Sequence, residues 1–461
     1  MRPAGGRPEF RGVPLPQLQW FRRPRPCGAS AAEPRSGYNF IVQETTDGWW
    51  FWFRRVGGLY VGAFALSVSN GIFGVALPFR VLDLGGGPDR VGLIGGINQA
   101  TYLAGLVGVL CLAGRFGLKA RALTSLVGLT LTSTLLGTVD DVDVLTLLAG
   151  LHGMLFCLFW PTAMAWVSTG VEGATLSRRL GVYNVSWSGG LVAGPLVGAA
   201  LFRFVSDDVA FPSITACIVA TLAAFALMSA PVSGPVAAAT APPQSGTSAR
   251  LTPAQVSAAA RASWLANAGG YLVYGMSRWQ FPAMAVFLGE KEEGFALVLT
   301  VFSAATAVGF ALLGRARFWH FNPVWNLGVQ AALITGLAAM WWVDSLAAMA
   351  VLAAPMGLCV AGTYYSSVYH GAAAVDRRDR AMTIHEIVLS LGFIVGAIGG
   401  GWLSAHASEV VPGADVRIAY PAAGAVLAVL AVASGICWSA CAAAAVPAPA
   451  SGIKPDARPA D

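Results

Sequence analysis

Long apolar runs alternate with short polar stretches along the whole chain, and this pattern predicts most of its structure. About 20 consecutive apolar residues cross the hydrocarbon core of a bilayer as a helix. By that measure the sequence predicts an all-α membrane protein with twelve transmembrane helices. The predicted spans are 57–82, 91–113, 121–139, 144–169, 182–205, 210–231, 263–288, 295–314, 324–343, 345–371, 381–405 and 418–441.

Composition agrees with this prediction and excludes several classes of protein. Hydrophobic residues make up 56% of the 461 residues and charged residues 11%, whereas soluble domains carry about 25% charge. A soluble enzyme, a fibrous protein and a disordered chain are therefore excluded. The cysteines lie mostly inside apolar runs, which indicates small buried hydrophobes and no metal site or cofactor. The net charge of +6 is dispersed along the chain, so we expect no nucleic-acid partner.

The loops between the predicted spans alternate in charge. Loops on the side of the N-terminus carry cations such as Arg121 and Arg261, while the opposite loops carry carboxylates such as Asp140 and Glu292. The positive-inside rule then places both termini in the cytoplasm, with the protein in the cytoplasmic (inner) membrane. An even number of spans requires the same topology.

Three segments fall outside the predicted bundles. Residues 1–55 are predicted to be a basic, disordered cytoplasmic tail, because the stretch before the first span lacks the apolar core of a signal peptide. Residues 232–262 are predicted to be a flexible cytoplasmic linker, and residues 442–461 a second disordered tail. The two six-helix bundles are then 56–231 and 263–441.

The two predicted bundles share a spaced pattern of glycine, proline and other residues. A shift of 204 aligns Gly71, Pro78, Gly85 and Gly105 with Gly275, Pro282, Gly289 and Gly309, and a shift of 202 aligns Met154, Arg178, Gly190, Gly194 and Gly198 with Met356, Arg380, Gly392, Gly396 and Gly400. Since each half has six spans, both halves begin on the same side of the membrane and are predicted to be parallel repeats. Such repeats place a substrate site near the midplane between the halves.

These features together resemble the major facilitator superfamily over about residues 56–441. The fifth span carries glycines and a proline with spacing that resembles the antiporter motif of drug:proton exporters: Gly181, Gly190, Gly194, Pro195 and Gly198. The loop before it resembles the family's acidic–basic latch through Glu172 and Arg179. The loop after span two, with Arg115 and Gly117, resembles the Asp-Arg-x-Gly signature, although Gly114 stands in the place of the aspartate. The resemblance implies the major facilitator fold.

The glycines of the fifth span lie on one helix face and allow another backbone to approach closely. Static packing and a sliding surface for alternating access are both compatible with this pattern. Pro195 removes one helix hydrogen bond and favours a bend there.

Arg278 is the most informative polar residue, because it lies about ten residues from the end of the seventh span. A charge at that depth is costly unless it is paired or faces water. We hypothesise that Arg278 contacts an anionic or strongly hydrogen-bonding substrate group. The alternative is a structural pairing with backbone carbonyls or a tyrosine.

Two residues are candidates for proton coupling. Glu386 is the only carboxylate within the predicted spans, so it is a natural proton carrier, and the alternative is a latch with Arg378 or Arg380. His152 in the fourth span is the second candidate, because its reference pKa lies near 6.5. A hydrogen-bonded structural role is its alternative.

Amide and aromatic groups complete a predicted cavity for a small amphipathic ligand. Besides Arg278, the candidate substrate-binding residues are Asn70, Asn98, Gln99, Trp160, Trp166, Tyr274, Gln280, Thr363 and Tyr364.

The predicted function is secondary active transport of a small organic solute by rocking of the two halves, in a monomer. Proton-coupled export is preferred because of the fifth-span motif, and proton-coupled uptake of a small organic anion or sugar-like metabolite is the alternative favoured by Arg278. No G-x-x-x-x-G-K-S/T loop occurs, which disfavours ATP-driven transport. We found no H-E-x-x-H motif, paired-carboxylate site or G-x-S-x-G serine with a histidine partner, so we expect no enzyme activity.

Overall fold

The computed structural model describes residues 52–112, 116–169, 171, 173–230, 251–374 and 378–443. Within these ranges the chain forms helices and no strand. The twelve long helices are α1 Gly58–Asp83, α2 Pro88–Leu112, α3 Leu118–Leu136, α4 Val142–Ser168, α5 Gly173–Phe204, α6 Ala210–Leu227, α7 Pro253–Trp279, α8 Glu292–Leu313, α9 Pro323–Ala339, α10 Leu346–Ala374, α11 Arg378–Ile394 and α12 Ala419–Ala443. Their positions confirm the predicted all-α fold with twelve long helices.

Short helical segments extend or connect these helices. π-Helical turns at Phe53–Gly57 and Val395–Gly399 precede α1 and follow α11, and Phe281–Phe287 follows α7. The remaining short segments are Asp207–Val209, Met340–Trp342, Gly400–Ala405, Ala407–Val410 and Val416–Ile418. Nine of the described helical spans are long and apolar enough to cross a membrane, with hydropathies between 1.3 and 2.2 over their most apolar windows. The other three, which are α2, α3 and α7, carry more polar and small residues.

The start of α7 differs from the predicted linker. The sequence predicts a linker over residues 232–262, but residues 253–262 form the first turns of α7. Thr252 caps the helix by accepting from the Gln255 amide at 3.3 Å, and Gln255 Oε1 accepts from the Thr252 amide at 2.7 Å. This capping box, with Pro253 in the first turn, fixes the helix start. Hydropathy alone missed it because these first turns are polar and alanine-rich.

The predicted parallel repeats are visible in the backbone contacts of the glycines. In the first half, Gly190 of α5 lies so close to the Phe64 carbonyl oxygen of α1 that a Cβ has no space. In the second half, Gly392 of α11 lies in the same way against the Ala268 carbonyl oxygen of α7. One turn further on, the same contact joins Gly194 to Val68 and Gly396 to Leu272. The two halves therefore use the same helix crossing, α1 on α5 and α7 on α11.

The turns that close the first hairpin of each half are also equivalent. Gly85 has φ 82° and Gly289 has φ 79°, a backbone conformation that favours glycine. The Gly86 amide donates to the Val81 carbonyl at 2.9 Å, and the Glu290 amide donates to the Ala285 carbonyl at the same distance. These are the bonds of a Schellman cap, so both halves end this segment with the same motif.

We refer to the two ends of the bundle by their connections. The linker end is where α6 ends at Leu227 and α7 begins at Pro253. The far end holds the turns at 84–87, 137–141 and 288–291 and the segment 406–418.

Candidate substrate cavity and its closed end

The far end is closed by glycines of α2 that fit against the second half. Gly92 approaches the carbonyl oxygen of Ala397 in the π-helical turn that follows α11. Gly95 lies directly under the Trp279 indole. Where α7 breaks, the Gln280 side-chain amide donates to the Ala397 carbonyl at 2.9 Å. No larger residue fits at these two glycine positions without a shift of the partner helix.

Apolar contacts join the halves at the same end. The rings of Phe79 in α1 and Phe295 in α8 lie 5.8 Å apart. Phe79 is buried in the hydrophobic cluster of the second half, and Trp279 is buried in the cluster of the first half. The two cores therefore interlock at the far end.

Arg278 belongs to this junction. Its side chain is buried, and one terminal nitrogen donates to the Asn70 carbonyl at 2.7 Å and to Asn70 Oδ1 at 3.3 Å. The other terminal nitrogen lies 3.5 Å from the Tyr274 hydroxyl. The guanidinium fills the space above Gly74, where a Cβ would collide with it. Among the described residues no carboxylate forms an ion pair with Arg278, so its charge is stabilised by a carbonyl, an amide and a phenol.

The centre of the interface is aromatic and carries one carboxylate. Glu386 of α11 is half-buried. Its chain neighbour His385 contacts the Tyr364 ring of α10 at 4.7 Å, and Tyr364 lies 6.1 Å from Tyr271 of α7. One turn along α11, Ser390 accepts from Gln99, which lies one turn from Tyr102 on α2. Glu386 therefore lies close to tyrosines of three other helices. Within the described side chains Glu386 has no ion-pair partner. Two repeats thus contribute to one mixed polar and aromatic centre.

Further rings continue this aromatic wall. The Tyr364 ring lies 6.1 Å from that of Tyr271 and 5.4 Å from that of Phe310. Phe310 in turn lies 6.1 Å from Trp187 of α5. We call the group formed by Tyr102, Tyr271, Tyr364, Phe310 and Trp187 the aromatic cluster, and its members come from both halves.

Several predicted cavity residues lie at or near the contact between the halves. Asn70 and Tyr274 bond Arg278, and Gln280 bonds the π-helical turn. Near the middle of the bundle, the Gln99 amide donates to the Ser390 hydroxyl at 2.9 Å, which joins α2 to α11.

Other predicted cavity residues pack inside one half. The Asn98 amide donates to the Ala149 carbonyl at 2.7 Å and ties α2 to α4. Thr363 is fully buried, lies against Gly270 of α7 and donates to its own helix. Trp166 packs edge-on against Phe225 at 5.5 Å, and Trp160 packs against Phe159 at 5.2 Å. These contacts match the packing roles that polar and aromatic residues have between membrane helices.

His152, the second candidate for proton coupling, is also packed within the first half. Its ring stacks on Phe73 of α1 at 4.8 Å, and its Nδ1 lies 3.0 Å from the Thr132 hydroxyl of α3. This hydrogen-bonded arrangement agrees with a structural role for His152, the alternative to proton coupling.

The conformational-motif residues differ in their surroundings. Gly190 and Gly194 make the close α1–α5 contacts, and Pro195 lies against Gly71. A Cβ on Gly181 would meet no atom within 4 Å, and one on Gly198 would make only ordinary contacts. Gly117 is the N-cap of α3 and Arg179 lies near the start of α5. Glu172 and Arg115 lie outside the described residues, as does the side chain of Arg380.

Sequence reasoning missed Tyr102 and Tyr183. Both lie on the faces that point to the interface, and Tyr183 is 1% exposed and interacts electrostatically with Tyr364. The sequence did contain a signal for Tyr102. This residue lies one helical turn from Gln99, and both side chains carry a polar group at their end within an apolar run. The His385 ring nitrogen Nδ1 forms a hydrogen bond with the Ser367 hydroxyl at 2.8 Å, and the His385 ring contacts the Tyr364 ring at 4.7 Å.

A helical bundle of two parallel repeats, meeting around a polar and aromatic centre, defines the class of multi-pass membrane transport proteins. The model of the Major Facilitator Superfamily matches residues 59–374. The chain therefore belongs to the Major Facilitator Superfamily, a family of transporters. A comparison with curated proteins gave no match.

Solved transporters share the fold. A bacterial homologue of the human lysosomal transporter Spinster, in an inward-facing and unoccupied conformation, matches with a TM-score of 0.62 and 14% identity, over 84% of this chain and 96% of that one. The nucleoside transporter NupG matches with a TM-score of 0.61 and 12% identity, over 83% of this chain and 98% of that one. At these identities the likeness concerns the fold alone.

Proposed function

We propose that the protein is a secondary active transporter that exports a small organic solute in exchange for protons by alternating access. The observation that carries this proposal is the closed far end of the two repeats, next to an interface that both repeats share. The far end is interlocked through the α2 glycines, Arg278 and Phe79, while a carboxylate lies in the centre between the halves. A secondary transporter needs such a closed end and a central site that its two halves share.

The arrangement of α4 and α10 supports access from the linker end. α4 packs mainly on α2 and α3, with smaller contacts to α5 and α1, and α10 packs on α7, α8, α9 and α11, so the main contacts of each lie within its own half. The extensive contacts between the halves are instead made by α2 with α11 and by α5 with α8. By the positive-inside rule the linker end faces the cytoplasm, so this state would receive a solute from inside the cell.

Glu386 is our candidate for the proton-carrying group. It is a carboxylate at the interface of the halves, within the described side chains it has no cationic partner, and its surroundings change when the halves move apart. His152 supports proton coupling less well, because it is stacked and hydrogen-bonded inside the first half.

The alternative, uptake of a small organic anion, depends on Arg278 being available to the solute. Here its guanidinium is held by Asn70 and Tyr274 and is nine-tenths buried. The geometry therefore supports a gate role for Arg278 and favours export over anion uptake.

The test is proton movement in vesicles. Purified protein is reconstituted with a pH-sensitive dye inside, and lipophilic cations, small carboxylates and sugar acids are added in turn. Exchange predicts that solute entry drives protons outward, whereas symport predicts inward proton flow. A matched preparation cross-linked at the far end between cysteines at positions 79 and 295, in a background without the native cysteines, should carry neither flux until the cross-link is released. Solute flux that this cross-link leaves unchanged would reject alternating access.

A further inference from the structure

The surroundings of Glu386 determine what it can bind besides a proton. The carboxylate lies on α11 about two turns from the start of that helix, inside the predicted span. An ionised carboxylate at that depth is costly unless a positive partner accompanies it. Among the described side chains no cation pairs with it, and the buried Arg278 is bound to Asn70. The site thus lacks a built-in positive charge.

The walls around this carboxylate are faces and edges of aromatic rings. Tyr271 lies 6.1 Å from Tyr364 and 5.4 Å from Tyr274, and Phe310 lies 5.4 Å from Tyr364. Aromatic faces carry partial negative charge and attract organic cations, most strongly where water is excluded. The carboxylate and the ring faces both attract a cation and both repel an anion.

Two buried polar atoms next to the aromatic cluster lack hydrogen-bond partners, which also indicates a ligand. The Tyr183 hydroxyl is buried without a hydrogen-bond partner among the described residues and interacts with Tyr364 and Tyr102. His385 Nε2 is buried without a partner as well, and the His385 ring lies 4.7 Å from the Tyr364 ring. Buried polar groups are normally hydrogen-bonded, so these atoms lack a group that a bound molecule or water supplies.

A divalent metal ion does not suit this environment. Ca²⁺ and Mg²⁺ need about six oxygen ligands in close geometry. In the part of the chain that the structure describes, no cluster of three or more His, Cys, Asp or Glu side chains is present. One carboxylate beside a group of aromatic rings favours a larger, weakly hydrated cation.

We propose that Glu386 and the aromatic cluster form a binding site for an organic monocation with apolar substituents, such as a protonated or quaternary amine. The carboxylate binds the positive centre, and the rings contributed by α2, α5, α7, α8 and α10 bind the substituents. This proposal rests on the proposed transport function and names the substrate class of the same interface. Because both halves contribute, binding is coupled to the relative position of the halves.

The test is binding of tetraphenylphosphonium to the purified full-length protein. Tetraphenylborate has nearly the same shape and the opposite charge, so it serves as the matched ligand control. Equilibrium dialysis gives the dissociation constant for both ions with the wild type, Glu386→Gln and Glu409→Gln. Glu409 is an exposed carboxylate at the far end, and its substitution makes the same chemical change outside the site.

We expect tetraphenylphosphonium to bind the wild type and Glu409→Gln equally, and tetraphenylborate to bind neither specifically. Glu386→Gln should weaken cation binding by about 30-fold or more, since truncating one partner of a buried charge pair costs at least about 2 kcal/mol. Tyr364→Phe keeps the ring and should bind nearly as the wild type does. Tyr364→Leu should weaken binding about two- to fivefold, the size of one cation–π contact.

Three outcomes would overturn the proposal: no cation binding, equal binding of both ions, or cation binding that Glu386→Gln leaves unchanged. Circular dichroism and size-exclusion profiles that match the wild type establish that Glu386→Gln is folded, and Glu386→Asp, which restores the charge, should recover part of the affinity. The vesicle assay is independent of this result. Exchange of a carboxylate or sugar acid without cation binding would remove the cation class and leave the transport proposal intact.

Discussion

The two halves of this transporter share their backbone contacts but differ in the polar groups at equivalent positions. Gly190 and Gly392 make the same carbonyl contacts in α5 and α11. Six positions earlier in each helix, the shift of 202 aligns Asn184 with Glu386. Asn184 is exposed and accepts from its neighbour Trp187 at 3.0 Å, whereas Glu386 lies half-buried among tyrosines of other helices.

Position 278 shows the same contrast. The shift of 204 aligns Arg278 with Gly74 and Tyr274 with Asn70. All four residues meet, because the guanidinium lies on Gly74 and bonds Asn70 beside Tyr274. The repeat therefore specifies how helices cross, while the ionisable chemistry is concentrated in the second half. Equivalent helix crossings allow the two halves to move in the same way. A single site between them needs only one set of charged groups.

The largest effect is expected at the aligned pair Glu386 and Asn184. Glu386→Gln should reduce proton-coupled flux in vesicles by roughly 30-fold or more, in line with the loss of a buried charge partner. Asn184→Ala removes a neutral, exposed amide and should leave flux within about twofold, since it breaks a single surface hydrogen bond. Equal losses from both substitutions would contradict the asymmetry between the halves.

Arg278 gives the second largest effect. Arg278→Ala removes charged hydrogen bonds worth about 1.5–3 kcal/mol, so the far end should open more often. A cysteine at position 79 should then react with an aqueous thiol reagent roughly tenfold faster, which corresponds to about 1.4 kcal/mol. Arg203→Ala, at the exposed end of α5, is the control and should leave the rate unchanged. If carboxylate binding disappears and the labelling rate does not change, Arg278 is a substrate residue and not a gate.

The shared glycine contacts predict equal effects in the two halves. Gly190→Ala and Gly392→Ala each insert a methyl group against a backbone carbonyl, and overpacking of this kind destabilises by about 1–3 kcal/mol. The apparent melting temperature in detergent should fall by a similar amount in both variants. Gly181→Ala is the control, because its Cβ would meet open space. A fall in only one half would show that the two crossings are not equivalent in energy.

The smallest effect concerns an ion pair in the far-end loop before α12. Asp415 accepts from Arg417 at 2.6 Å, and these hydrogen bonds lower the pKa of the Asp415 carboxyl. The carboxylate therefore stabilises the fold above its ordinary pKa and loses that contribution as pH falls through the lowered value. Because the pair is part-exposed, Asp415→Asn should lower stability by less than about 1 kcal/mol near neutral pH. The variant and the wild type should converge in thermal unfolding at strongly acidic pH, and a difference that persists there would exclude the charge as its cause.

The sequence predicted the helices well and the side-chain partners poorly. Span boundaries follow from apolar length, which explains why α8 at Glu292–Leu313 lies close to the predicted 295–314. The depth of Arg278 in the seventh span follows from the sequence, but its bond to Asn70 depends on how α1 and α7 rotate against each other. Helices that are apolar on every side carry little rotational information. For the same reason Thr363 and Trp166, which pack inside one half, could not be distinguished from Tyr102, which faces the other.

The contact between Arg278 and Gly74 also bears on how the two halves diverged. A position that touches its own repeat equivalent lies next to the axis that relates the halves, as self-contacts do in a two-fold interface. If both halves carried arginine there, two guanidinium groups would occupy one space and repel each other. Two identical halves could therefore not contain this junction. Arginine on one side and glycine on the other are compatible only in a chain whose two halves differ in sequence, and exchanging the two residues is a direct test of whether either half can take either part.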